Sequence, residues 1–289
     1  MKVSGFTFIR NAILFDYPIV EAITSILPVC DEFIVALGKS EDETYGLIQS
    51  ISSPKIKIVH TVWDDNLREG GSVLADETNK AFKAISPNTD WCFYIQGDEV
   101  VHEKYLPVIK HEMENHLPDK RVEGLLFNYL HFYGSYDYTG DSRKWYRREV
   151  RIVRNIPEIH SYRDAQGFRI KNRHLAVKQI DASVYHYGWV KPPSVQQAKQ
   201  KSFNKLWHND DWVEKKIPSV NEFDYSSIDS LTSFNGTHPE VMQPRIQAIN
   251  WKFSFDPTQK QFTFKQKFLR LVEKLTGWRI GEYKNYKII

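Results

Sequence analysis

The chain has 289 residues, is 41% hydrophobic and 26% charged, and carries a formal net charge of +3, an ordinary composition for a globular protein. No apolar run approaches the roughly 20 residues of a membrane span, and no low-complexity tract argues for disorder. Cys30 and Cys92 sit in apolar contexts without metal-type spacing and read as buried free thiols; the first twenty residues carry Arg10 and Asp16 and no signal-type apolar core, so a cytoplasmic protein is expected.

Residues 3–9 form an apolar run that stops at Arg10-Asn11 and reads as a strand. Residues 18–27 place Ile19, Ala22, Ile23, Ile26 and Leu27 at helical spacing. Residues 32–37 (EFIVAL) predict a compact strand ending at Gly38, 43–51 a helix, and 55–62 (KIKIVHTV) an alternating, edge-like strand. Residues 72–85 predict a helix with Val73, Ala81, Phe82 and Ile85 inward and Ser72 as its N-cap. Residues 91–95 (WCFYI) predict a fourth strand, with a helix at 104–116 after it. This alternation predicts a mainly parallel sheet covered on both faces. Ligands of such sheets bind beyond the carboxyl ends of the strands, where strand order reverses. Four of those ends are polar: Arg10-Asn11, the 38–42 loop with Ser40 and Asp42, Asp64-Asp65, and Gln96-Gly97-Asp98-Glu99.

Past residue 120 the pattern changes. Residues 124–133, 149–153 and 182–186 read as strands, 196–206 as a helix after Pro192-Pro193, and 221–236 as a polar loop. Residues 251–255 are too short to type, and 265–275 read as an amphipathic basic helix. Residues 143–178 carry eleven Lys or Arg against three acids, and residues 260–289 carry eight against two. Such segments in a near-neutral protein suit an anionic ligand or surface, or else a solvated basic face.

Three stretches together resemble the family 2 glycosyltransferases. VALGKSEDET (35–44) is similar to the family's strand and D-G-S-x-D-G-T loop. GSVLADETNKAFKAISPNTDWCFYIQGDEVVHEK (71–104) is similar to the helix and strand that lead to the D-x-D metal motif. VYHYGWVKPP (184–193) is similar to a distal histidine segment. The resemblance implies the GT-A fold, an α/β, Rossmann-like, mainly parallel central sheet flanked by helices. Residues 1–190 would then form the nucleotide-sugar-binding and catalytic domain, with 191–289 a helical or irregular extension packed on it. Gln96 stands where the family has the first D-x-D acid, and Ala36-Leu37 stand where it has an aspartate.

The implied activity is inverting transfer of a sugar from a nucleotide-diphosphate donor to a glycan or lipid-linked acceptor, assisted by Mn²⁺ or Mg²⁺. Asp98 is the implied metal ligand and His186 a further ligand or diphosphate contact. Arg10, Asn11, Ser40, Asp42, Gln96 and Arg151 are candidates for the nucleotide, with Arg147, Arg148 and Arg154 as further candidates for phosphate. Inversion needs a base, for which Asp137, Asp141, Glu149, Glu158 and Asp164 compete; Asp164 is preferred because the strand before it delivers its loop to the acceptor side. Glu99 is a second catalytic candidate. The basic C-terminal segment is expected to touch an anionic membrane surface, or to pack on the catalytic domain with its basic face outward. A nucleotidyltransferase would need a glycine cluster that FTFIRNAILF lacks. A non-catalytic carbohydrate or nucleotide binder stays open, and nucleic acid is not an expected partner because no recognition motif is present.

Overall fold

The computed structural model describes every residue except 65, 68, 218 and 219; Asp65, read above as part of a polar strand end, therefore lies outside the described residues. The first third alternates as the periodicity predicts: β1 (Val3–Ile9), α1 (Ile19–Ile26), β2 (Glu32–Gly38), α2 (Thr44–Gln49), β3 (Ile56–Thr61), α3 (Ser72–Lys83) and β4 (Trp91–Tyr94). β2 and β4 are buried along their whole length, because both faces of a parallel sheet are covered. β3 is only half-buried and lies at the sheet edge, as its alternating pattern suggests.

Then come β5 (Glu99–Val101), α4 (Leu106–His116), β6 (Gly124–Tyr133), β7 (Ser135–Gly140) and β8 (Arg148–Arg154). A separate small sheet holds β9 (Ile159–Tyr162), β10 (Gly167–Ile170) and β11 (Arg173–His174), and the long β12 (Ala176–Trp189) follows. The remainder is α5 (Pro193–Asn204), α6 (Asp210–Lys216), β13 (Leu231–Ser233), α7 (Gln243–Gln247), α8 (Phe264–Thr276) and β14 (Lys287–Ile288).

The main sheet runs β3-β2-β1-β4-β8-β6-β7-β13. It is parallel from β3 to β4, with β8 antiparallel to both β4 and β6. β12 lies parallel along β6 and also pairs with β5 and β14. Residues of α1 and α4 (Ile23, Ile26, Ile109, Met113) join one apolar core, and those of α3 (Val73, Leu74, Ala81, Phe82) join a second on the other side. The fold class is therefore the expected α/β, a central sheet with helices on both faces. The chain leaves β1 for β2 and β3, then returns to β4 on the other side of β1. Strand order reverses between the carboxyl ends of β1 and β4, which is where such folds bind ligands.

Several elements differ from the sequence reading. α3 begins at Ser72, but its cap is Gly71, whose φ of 73° is a left-handed conformation that glycine adopts without strain. β12 is much longer than the five residues expected, because a register shift between Gln179 and Ser183 lets polar residues ride within a continuous strand. β5, β7 and the small sheet carry no clear period of two over a useful length. β13 pairs with β7 and β14 with β12, so the last hundred residues also add strands to the main sheet.

Candidate active site

Asp98 follows β4 in a turn held from two directions. Its backbone carbonyl accepts from the Tyr187 amide at 2.8 Å, and the antiparallel register of β12 on β5 sets His186 opposite Glu99. β12 thus brings His186 to the turn, with Nε2 3.8 Å from Asp98 Oδ1. Gly188 keeps the space between them open. A Cβ there would lie 2.7 Å from Asp98 Oδ2 and 2.8 Å from His186 Nε2.

The imidazole's tautomer follows from its neighbours. His131 Nε2 sits 2.8 Å from the Tyr146 carbonyl, which can only accept, so that nitrogen carries the proton. Burial holds His131 well below the usual imidazole range, so it is neutral and its Nδ1 accepts. His186 Nδ1, 3.3 Å away, is then the donor, which leaves a bare lone pair on Nε2 beside Asp98. Burial also lowers the His186 pKa, against the pull of the Asp98 and Glu99 carboxylates.

Two lysines sequence reading did not single out complete this corner. Lys199 on α5 reaches Asp98 Oδ2 at 3.1 Å and donates to the Gly188 carbonyl at 3.0 Å. Lys191 is fully buried and donates to the Asp16 carbonyl at 2.5 Å, burial and Lys199 lowering its pKa well below the usual lysine range; both Nζ atoms lie over the Tyr17 ring. Burial alone would raise the Asp98 carboxyl, but the Lys199 ammonium beside it outweighs burial and holds the group well below the carboxylate range. Asp98 is ionised. A lysine six residues past Pro193 on a helix gives no local signal of this contact, and only the fold delivers it.

Asp98, His186, Gly188 and Lys199 line a cavity of about 530 Å³, a size typical of small-ligand sites. Its wall includes Arg10 and Asn11 from the end of β1, Gln96 and Asp98 from the end of β4, Asp164, His186 and Lys199. Phe8, Trp63, Phe203 and Trp207 add flat apolar surface, with the Arg10 guanidinium 5.3 Å from the Trp63 ring centre. Gln96 donates toward the Tyr94 hydroxyl and the Ala165 carbonyl, both at 3.3 Å. Asp164 is half-buried, and burial raises its pKa against backbone hydrogen bonds and Arg163.

Other candidates lie elsewhere. Glu99 is fully buried, bound by Arg151 at 2.7 and 2.9 Å and by the Tyr129 hydroxyl at 2.7 Å, and neither Glu99 nor Arg151 lines the cavity. This pair braces the Asp98 turn and is corrected from catalytic and nucleotide-contact roles to a supporting one. Ser40 and Asp42 also fall outside the cavity lining. Ser40 accepts from the Asn11 amide, while Asp42 accepts from the Leu14 amide at 2.7 Å, so they hold the β1 loop in place. Among the rival bases, Asp137 and Glu158 are exposed, Asp141 is tied to Lys260 and Arg270, and Glu149 is buried away from the cavity. The three arginines expected to meet phosphate are occupied internally: Arg147 clasps Glu282 at 2.8 Å twice, Arg154 donates to four backbone carbonyls, and Arg148 bonds Tyr286.

Among the described residues, no cluster of three or more His, Cys, Asp or Glu side chains is placed to hold a metal. The donors present, one ionised carboxylate and one imidazole lone pair bordering a space that Gly188 leaves open, fit a divalent ion that draws its other ligands from phosphate and water.

No family model matches the chain, and no curated protein matches it. Solved structures similar to it include S. aureus TarS, at 15% identity and a TM-score of 0.42, over 70% of this chain and 39% of that one. Another is glucosyl-3-phosphoglycerate synthase from Mycobacterium tuberculosis in complex with Mn²⁺, uridine diphosphate and phosphoglyceric acid, at 20% identity and a TM-score of 0.31, over 45% of this chain and 43% of that one. A third is 4-diphosphocytidyl-2C-methyl-D-erythritol synthase from Anaerococcus prevotii, at 12% identity and a TM-score of 0.33, over 53% and 70%. Likeness at this level assigns no role to any residue of this chain, which spans under half the length of TarS.

Proposed function

We propose that the chain is a glycosyltransferase of the GT-A fold, moving a sugar from a nucleoside-diphosphate donor to a hydroxyl of a glycan or lipid-linked acceptor, with inversion. One observation supports this above the rest: Asp98 and His186 meet at the reversal point of the sheet, in a cavity that also holds Lys199 and Asp164. Departure of the diphosphate builds negative charge while the anomeric carbon gains oxocarbenium character. Mn²⁺ or Mg²⁺ held by Asp98 and His186 Nε2 would stabilise that charge.

The chain's own groups do the remaining work. Lys199 brings a second positive charge to the diphosphate. Asp164 takes the proton of the acceptor hydroxyl, and the burial that raises its pKa makes it the stronger base. Gln96 offers a neutral amide to a ribose hydroxyl. Arg10, Asn11 and the aromatic walls face the base and sugar.

Calorimetric titration of the purified protein with nucleoside diphosphates, with and without Mn²⁺, tests this reading. Metal-dependent binding is expected, and Asp98→Asn should weaken it about tenfold or more. Asp164→Asn should keep the binding and lose on the order of a hundredfold in sugar transfer. Absence of nucleotide binding, or full turnover by Asp98→Asn, would overturn the reading. Binding without transfer or donor hydrolysis would favour a non-catalytic nucleotide-binding protein.

A further inference from the structure

α8 is built inside out. Its thirteen residues make a rod about 20 Å long, bounded by a capping box of Thr263 and Gln266 and by Gly277 in the left-handed conformation. A surface helix ordinarily turns its apolar stripe to the core. Here the inward side is largely polar, with Leu269 and Val272 half-buried beside it: Arg270 bonds the Asp141 carboxylate at 3.2 Å, and Glu273 pairs with Arg143 and Arg147. The outward side carries Phe264, Phe268, Leu271 and Leu275, exposed by 91, 61, 53 and 74%, with Trp278 at 64% just beyond. Their spacing of four, three and four puts the helical members on one stripe.

Lysines border that stripe, Lys267 and Lys274 on one side and Lys265 on the other. None of the three has an ion-pair partner among the described residues, while Glu273 and Glu282, the two acids of residues 260–289, are both turned to arginines. Beside the helix opens a cavity of about 650 Å³ whose lining includes Lys267 and Lys274 together with Arg143, Arg147 and Arg270, the three arginines paired there with Asp141 and Glu273. An exposed apolar stripe with an aromatic end and a basic border matches a helix lying in the headgroup region of a bilayer.

We propose that this face of α8 docks the protein on an anionic lipid leaflet, a property separate from the donor site. Charge complementarity selects that occupant. Two copies joined stripe to stripe about a twofold axis would bring their bordering lysines together without carboxylates to answer them, whereas anionic headgroups neutralise each lysine. The apolar side chains and the lysines supply the two signals that stable anchoring needs.

Co-sedimentation of the full chain with phosphatidylcholine vesicles, with and without phosphatidylglycerol, decides the matter. Binding is expected to the anionic vesicles and to fall with salt. Lys265→Gln, Lys267→Gln and Lys274→Gln combined should lower the partition coefficient about a hundredfold. Phe264→Ser, Phe268→Ser and Leu275→Ser combined should abolish it, with an unchanged thermal midpoint because these side chains support nothing inside. No binding of the unaltered chain to anionic vesicles, or retention of binding by both variants, would overturn the proposal. So would a dimer in light scattering that the serine variant converts to a monomer, since the stripe would then belong to a second copy.

Discussion

Gly188 has the narrowest tolerance in the cavity. The methyl of Gly188→Ala would press on Asp98 Oδ2 and His186 Nε2 together, so both must move or the space between them fills. Mn²⁺-dependent nucleoside-diphosphate affinity should fall about tenfold or more, with a shift of only a few degrees in thermal midpoint, about what ~1 kcal/mol produces. An unchanged metal titration would remove these two side chains from the proposed ion site. Its neighbour His186 was legible from its aromatic setting at a strand end. Gly188 was not, because a glycine two residues past a histidine means nothing until β12 lies against the Asp98 turn.

At the level of elements, the Glu99–Arg151 pair joins β5 to β8 through two short contacts with both side chains sealed from water. Removing one member leaves a buried charge unanswered. Arg151→Met should cost about 3–5 kcal/mol in urea unfolding, and adding Glu99→Met should recover most of it. A single substitution within 1 kcal/mol of the parent, on the order of an exposed pair, would show the pair to be solvated. The sequence marked Glu99, next to Asp98, as a second catalytic candidate. What it did not contain is that this side chain meets an arginine 52 residues away. The same holds for Ser40 and Asp42, whose polar character was plain but whose partners, Asn11 and Leu14, belong to another loop.

At the scale of the whole molecule, Glu149 should make stability depend on pH. The side chain lies where β8, the small sheet and the C-terminal segment meet, with one oxygen unpartnered; burial, helped by Glu99 and Asp164 against Arg151, pushes its pKa from the ordinary 4.5 up to about 8. Between those values the unfolded chain has released the proton and the folded chain keeps it. Stability should therefore fall as pH rises through that window, by up to about 1.4 kcal/mol per unit. Glu149→Gln should flatten this slope, as read from urea midpoints across the range, and parallel slopes would reject the assignment. Hydrophobic periodicity gave the strand order's raw material, and the switch-point rule then brought Arg10, Asn11, Gln96 and Asp98 to one cavity. Groups delivered by tertiary packing, Lys199 above all, left no trace in local pattern.

The Lys199–Asp98 contact ties α5 to the turn after β4 within the cavity wall. A sugar nucleotide entering there offers the lysine a replacement anion as it separates the two. A free sugar offers none, and would have to strand an ammonium and a carboxylate apart in a poorly hydrated space. On the proposed reading, uncharged monosaccharides should therefore bind far more weakly than sugar nucleotides, an order that calorimetric titration of each would check.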